Sequence, residues 1–237
     1  MKFVVEQLAT WIQPDQRQIE GACWYDTSPI TLKWLAPMQR RRMTHFTKMV
    51  LHSAYQVTPQ HSNDKLAAVF SSRHGDFHKT ANLLIDIVNK EALSPTGFGL
   101  SVHNAAAGLF SIINNNNSAM NAIAAGAESF IYALIDACAR LCDGNETMML
   151  VVHSDEVLPD IYSQFADEQQ LTHAMALRVR LPAGDEPHFS LAKVLTPVAQ
   201  ASDLPLSLQC ARALHNKSSC LLTHAALLNH WQLTYHD

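Results

Sequence analysis

Apolar positions along this chain fall into short strand-like runs and longer helix-spaced stripes, and the two kinds alternate. Residues 3–12 read as a strand that Pro14 and Asp15 close, and 16–36 as irregular chain anchored by Trp24, Tyr25 and Trp34. Residues 37–57 carry an approximate helical stripe of Met43, Phe46, Met49, Val50 and Tyr55. Its opening holds Arg40, Arg41 and Arg42, cations that oppose the dipole of a helix N-terminus. Residues 66–70 read as a short buried strand, 71–78 as a polar turn and 80–88 as a helix. The stretch 94–155 organises the rest. A strand runs into a tight turn through the apolar, small-residue run 122–127. Phe130, Ile131, Leu134, Ala137, Cys138 and Leu141 then recur at helical spacing, and Asp143 and Gly144 stop that helix. An apolar run over 148–152 has strand length. Strand, tight turn, buried helix, buried strand is how an α/β enzyme presents a nucleophile at a helix start. The residue at this turn is Ala127, whose methyl has no chemistry.

Beyond it, 157–165 and a loop over 166–172 lead to an alternating strand, 173–181, with Ala174, Ala176, Leu177 and Val179 apolar. A turn over 182–187, a helix over 206–214, a second helical stretch over 221–231 and a closing strand over 231–235 complete the reading. There is no internal repeat, and Asn114–Asn117 reads as a turn. Alternating strands and helices predict a layered α/β fold.

Composition narrows this. The chain has 237 residues, 48% hydrophobic and 16% charged, which suits a single domain over 1–237 with a large core. A formal net charge of -4 implies no general attraction to nucleic acid or to a membrane surface. The five cysteines, Cys23, Cys138, Cys142, Cys210 and Cys220, are odd in number and unpatterned, so free thiols in a reducing cytoplasm are expected. The first residues lack the long apolar core of a signal peptide, and no run approaches the length of a membrane span.

Three side-chain groupings suggest chemistry. Ser129 in the GAESF turn and His153 after a strand form the pair that an esterase or thioesterase needs, although Phe130 takes the place of the second elbow glycine. His74 and His78, with Asp76 between, have the spacing of two metal ligands on a helix, but Gly75 interrupts the helix and no third ligand stands nearby, so no metal site is expected. Arg40, Arg41 and Arg42 suit the phosphate of an acidic carrier, or are a solvated helix end.

Two pieces together, SVHNAAAG at 101–108 and AIAAGAESF at 122–130, resemble the nucleophile segment of β-ketoacyl synthases, in the thiolase superfamily. The family pattern lies ungapped over 125–140, places its reactive cysteine on Ala127, and continues back through Ser94 and Pro95. The chain is most similar to the ketosynthase-like, chain-length-factor group of aryl polyene and related type II polyketide systems. The resemblance implies a thiolase-like α/β layered fold, essentially the N-terminal half of a ketosynthase, with Ala127 as a vacated nucleophile position and hence no catalytic residue of its own. It implies that Ser118, Met120, Asn121, Ala122 and Ile123 form an interface strand, and that Gly97, Phe98, Ser101 and Asn104 wall an acyl chamber. It also implies a heterodimer with an active β-ketoacyl synthase, contact with an acyl carrier protein, and no cofactor. A purely structural stabiliser of the synthase is the other reading within this family.

Overall fold

The computed structural model describes residues 1–14, 23–58, 65–195 and 200–237. Most of the irregular segment expected over 16–36 is seen from 23 onward, and its beginning lies outside the described residues. The elements, in chain order, are β1 (Lys2–Ile12), α1 (Pro37–Arg42), α2 (His45–Val57), β2 (Ala67–Ser71), α3 (Phe77–Val88), α4 (Pro95–Ser101), α5 (Ala105–Ile113) and β3 (Met120–Ile123). There follow α6 (Ser129–Cys142), β4 (Met149–Asp155), a 3-10 helix (Asp160–Phe165), β5 (His173–Arg180), β6 (His188–Val194), α7 (Leu206–His215), β7 (Cys220–Leu222) and β8 (His230–His236).

The strands form one eight-stranded sheet in the order β3-β2-β4-β5-β1-β6-β8-β7. β2 runs parallel to both β3 and β4, and every other pairing is antiparallel. Strand alternation sorts the side chains onto two cores. Val69, Val151, Met175 and Leu177 face α6 and α7, while Ala68, Phe70, Leu150, Val152, Ala174 and Ala176 face α2 and α5. β2 and β4 are buried on both faces, as strands between two helical layers must be. This is the layered, thiolase-like α/β fold that the sequence implies.

The segment read as one helix over 37–57 is two. α1 ends at Arg42, and Thr44 caps α2 by accepting from the Thr47 amide at 3.2 Å. The arginines therefore occupy the last turn of α1, where their charge complements the dipole rather than opposing it. α3 begins three residues earlier than the pattern suggests, because Asp76 caps it through Oδ1 and the Lys79 amide, 3.1 Å. Residues 221–231 are not helical. β7 ends at Leu222, and β8 pairs with both β6 and β7. Leu221, Leu222 and Trp231 lie in a cross-strand ladder and the residues between them form a loop, an arrangement that a helical count cannot distinguish over so few positions. β6 has no counterpart in the sequence reading. Gly144 follows α6 at φ +80°, the left-handed stop that the sequence implies.

Candidate functional site

The turn between β3 and α6 is built for a tight approach. Gly126 sits at φ +58°, a conformation that suits glycine. The Ser129 hydroxyl accepts from the Ala125 amide at 2.9 Å and donates to the Gly126 carbonyl at 2.7 Å, clamping the loop onto the helix start. Glu128 is held by the Trp231 indole N–H at 2.7 Å, with Lys193 4.0 Å away. Ala127 presents only its methyl at this turn.

The hydrolase pair does not form. Ser129 is buried and spends its hydroxyl on the turn, and its hydrogen bonds do not involve His153. His153 instead places Nδ1 3.0 Å from the Ser71 hydroxyl and Nε2 3.1 Å from Asp155 Oδ2. That trio has the composition of a catalytic triad but no access for a substrate. All three residues are buried, and the cavity beside Ser71 has about 10 Å³, room for one water.

Asp155 is the centre of this polar knot. Its Oδ1 accepts from the Ser72 hydroxyl at 2.7 Å, the Arg73 amide at 2.8 Å and the His74 amide at 3.2 Å. Burial alone would raise its carboxyl pKa, but the bond to His153, the charges of His153 and His173 and the Ser72 bond hold it far below the usual carboxylate range. Next to it, His173 donates one ring N–H to the Leu171 carbonyl through Nδ1, 2.8 Å, which leaves Nε2 to accept from Ser207, 2.8 Å. Burial, then the neighbouring His153, lowers its pKa to about 4.

A pH dependence follows. With the folded value lowered from 6.5 to about 4, the unfolded chain takes up a proton first as pH falls. Stability is therefore full above about pH 6.5 and is lost towards pH 4, by on the order of 3 kcal/mol for this group. Urea unfolding at pH 7.5, 5.5 and 4.5 should show a falling midpoint, and His173→Gln should flatten the slope in that window. An equal slope in the variant assigns the acid lability elsewhere.

His74 and His78 do not share a helix. His74 lies in the turn before α3 with its ring against Phe77, and His78 Nε2 donates to the Val157 carbonyl at 2.9 Å. Among the described residues no group of three His, Cys, Asp or Glu could hold a metal. All five cysteines are free, and burial pushes the Cys138 thiol up to about 12. Among the described residues no single helix is long and apolar enough to cross a membrane.

The residues assigned to a partner do come together. β3 pairs only with β2 among the described strands and forms one edge of the sheet. An open groove of about 690 Å³ runs between this edge and α5, and Asn104, Ser118, Met120, Asn121 and Ala122 line it. Ile123 is half-buried at the strand end. Of the other residues assigned to a chamber wall, Phe98 is exposed on α4, while the Ser101 hydroxyl turns back to the Phe98 carbonyl at 2.8 Å. Gly97 is buried where α4 meets α3, with a Cβ there 3.3 Å from Lys79 Nζ. The segment that carries these residues is mostly two short helices, α4 and α5.

Arg40 and Arg41 join Lys48 around a second hollow of about 330 Å³, walled on its apolar side by Ile30, Leu32 and Pro37. Arg40 donates to the Thr31 carbonyl at 3.1 Å. No Asp or Glu occurs from residue 27 to 63, so this face is cationic in a chain of net charge -4.

Sequence reasoning missed the network around Asp155 and the outward face of α3. The SSRHG and HSD segments that build the network lie 81 to 83 residues apart at their contacts and meet through the β2–β4 pairing. The α3 face had a signal in the unbroken apolar run around Leu83–Ile85, too apolar for one buried stripe.

Compared with protein families, the chain matches the model of the β-ketoacyl synthase N-terminal domain over residues 11–237. No curated protein matches the sequence. Among solved structures, a chain of the ketosynthase (ApeO) in complex with its chain length factor (ApeC) from Xenorhabdus doucetiae superposes with a TM-score of 0.80, at 21% identity over 99% of each chain. The ishigamide ketosynthase/chain length factor gives 0.57 at 16% identity, covering 75% of this chain and 56% of that one. A type II polyketide acyl-carrier protein complex with its ketosynthase bound to the hexaketide (AntDE:AntF) gives 0.54 at 11%, covering 72% and 59%. At these identities the likeness is one of fold.

Proposed function

The chain belongs to the β-ketoacyl synthase family through its N-terminal domain, and from that membership we propose that it is a non-catalytic, chain-length-factor-like subunit paired with an active β-ketoacyl synthase. The observation that carries this reading is the pairing of a free sheet edge at β3, beside a groove, with a helix start that offers Ala127 where a nucleophile would stand. A thiol or hydroxyl nucleophile is needed for acyl transfer, and a methyl cannot serve. The active cysteine and its histidines would come from the synthase. Asn104, Ser118, Met120, Asn121 and Ala122 would line the joint, Phe98 would reach the acyl chamber, and the reaction would be chain elongation of the polyene or polyketide kind. The Arg40, Arg41 and Lys48 hollow suits the phosphate arm of an acyl carrier protein, since guanidinium groups bind phosphate in a fork. That one chain of the complex of a ketosynthase with its chain length factor has this fold over 99% of its length supports the reading.

The test is condensation with malonyl and acyl carrier proteins, followed by mass spectrometry. The chain alone should give no ketoacyl product, the co-expressed pair should, and Ala127→Cys alone should stay inactive because a cysteine without its histidines lacks the proton-transfer partners. Robust product from the chain alone would sink the proposal.

A further inference from the structure

β3 has four residues. A lasting protein–protein interface buries about 1,200–2,000 Å² in total and engages roughly 20–30 residues on each side. The edge strand and its groove therefore need adjoining surface, and the fold supplies it. α5 packs on β3, α4 on α5, and α3 on α4. Lys79 of α3 reaches Gly97 of α4 at this contact. On α3 only Ala81 and Leu83 are buried. Leu84, Ile85, Ile87 and Val88 point outward, Ile85 at 45% and Val88 at 78% exposure, and Ile112 on α5 is also exposed. Soluble proteins rarely leave such large side chains in one contiguous patch unless something covers it.

We propose that the outward face of α3 is part of the partner-binding surface, seated against an apolar face of the synthase subunit. The inference rests on the heterodimer reading and extends it to a helix that the β3 edge does not include. Charge favours this occupant. Between residues 80 and 104 the only charged side chains are Asp86, Lys90 and Glu91. An interfacial helix that lies on anionic lipid carries a lysine- and arginine-rich polar face, and α3 has none.

The experiment uses the heterodimer. Ile85→Glu/Val88→Glu should leave the circular dichroism and urea midpoint of the chain unchanged and weaken the Kd for the synthase at least about a hundredfold, as burying unpaired carboxylates in an apolar contact does. Val88→Glu alone is the fallback should the double variant not fold. Lys90→Glu, outside the apolar face, should bind as the parent does. An unchanged Kd overturns the inference. If Ala122→Pro breaks the complex while the α3 variant binds normally, the inference falls and the heterodimer reading stands. If the parent chain forms no complex with the synthase, both fall. Should the α3 variant lose self-association, or co-sedimentation with phosphatidylcholine/phosphatidylglycerol vesicles, with heterodimer affinity intact, the face serves a second copy or a lipid surface and the inference is overturned.

Discussion

Ala122→Pro should abolish the heterodimer and leave the chain folded. The ladder of β3 with β2 makes this a clean test. The Ala119 carbonyl accepts from the Ala68 amide at 3.1 Å, and the Ile123 carbonyl from the Ser72 amide at 3.3 Å. Peptide groups alternate along a strand, so residues 119, 121 and 123 face β2 while Met120, Ala122 and Ala124 aim their amides and carbonyls at the open edge. Proline at 122 removes an outward donor and places its ring where an added strand would lie. β2 keeps its bonds. The loss should be about 3 kcal/mol or more, over a hundredfold in Kd. Size-exclusion chromatography with light scattering, and a urea midpoint of the isolated variant, give both readouts. A tight heterodimer with Ala122→Pro removes β3 from the interface.

The second large effect is on stability. Asp155→Ala should lower the unfolding free energy by about 3–5 kcal/mol, as breaking a buried charge network does. It strands the Ser72 hydroxyl, the Arg73 and His74 amides and His153 Nε2 without an acceptor. Asp155→Asn keeps an acceptor oxygen for the turn and should cost less. The turn matters beyond stability. Its Ser72 carbonyl accepts from His103 Nε2 at 3.1 Å, and His103 lines the groove at β3. Urea midpoints of the two variants, with heterodimer affinity measured for Asp155→Asn, check the chain of effects. Equal, small losses for both variants would show that the network contributes little.

The unit from β3 to β4 was legible because each of its parts is local. Phe130, Ile131, Leu134, Ala137, Cys138 and Leu141 are all buried on one face of α6, and Gly144 ends it. What failed was non-local. Arg40, Arg41 and Arg42 changed from helix start to helix end because Thr44 caps a new helix, and a stripe counted across 37–57 does not register a two-residue break. Residues 221–231 looked helical because spacing over so short a stretch does not separate a helix from two strand ends and a loop, and only the pairing of β8 with β6 and β7 decides. At the site, Asn104, Ser118, Met120, Asn121 and Ala122 line one groove. Gly97 does not, because its place is between α3 and α4. The Ser129–His153 pair was a coincidence of residue types: the hydroxyl is consumed within its own turn, and the ring is claimed by Ser71 and Asp155.

The position of β1 has a consequence for how the chain is made. β1 lies in the interior of the sheet, paired with β5 on one side and β6 on the other, Val4 opposite Arg180 and Phe3 opposite Phe189. Both of these partners are made long after it. At about 5–20 residues per second, the interval between Phe3 and Phe189 is on the order of 10–40 s. For that time Phe3 waits for its partner on β6, and the sheet cannot close behind it. Such distant pairings slow folding. Placing β1 next to β6 in the order of synthesis would shorten the wait.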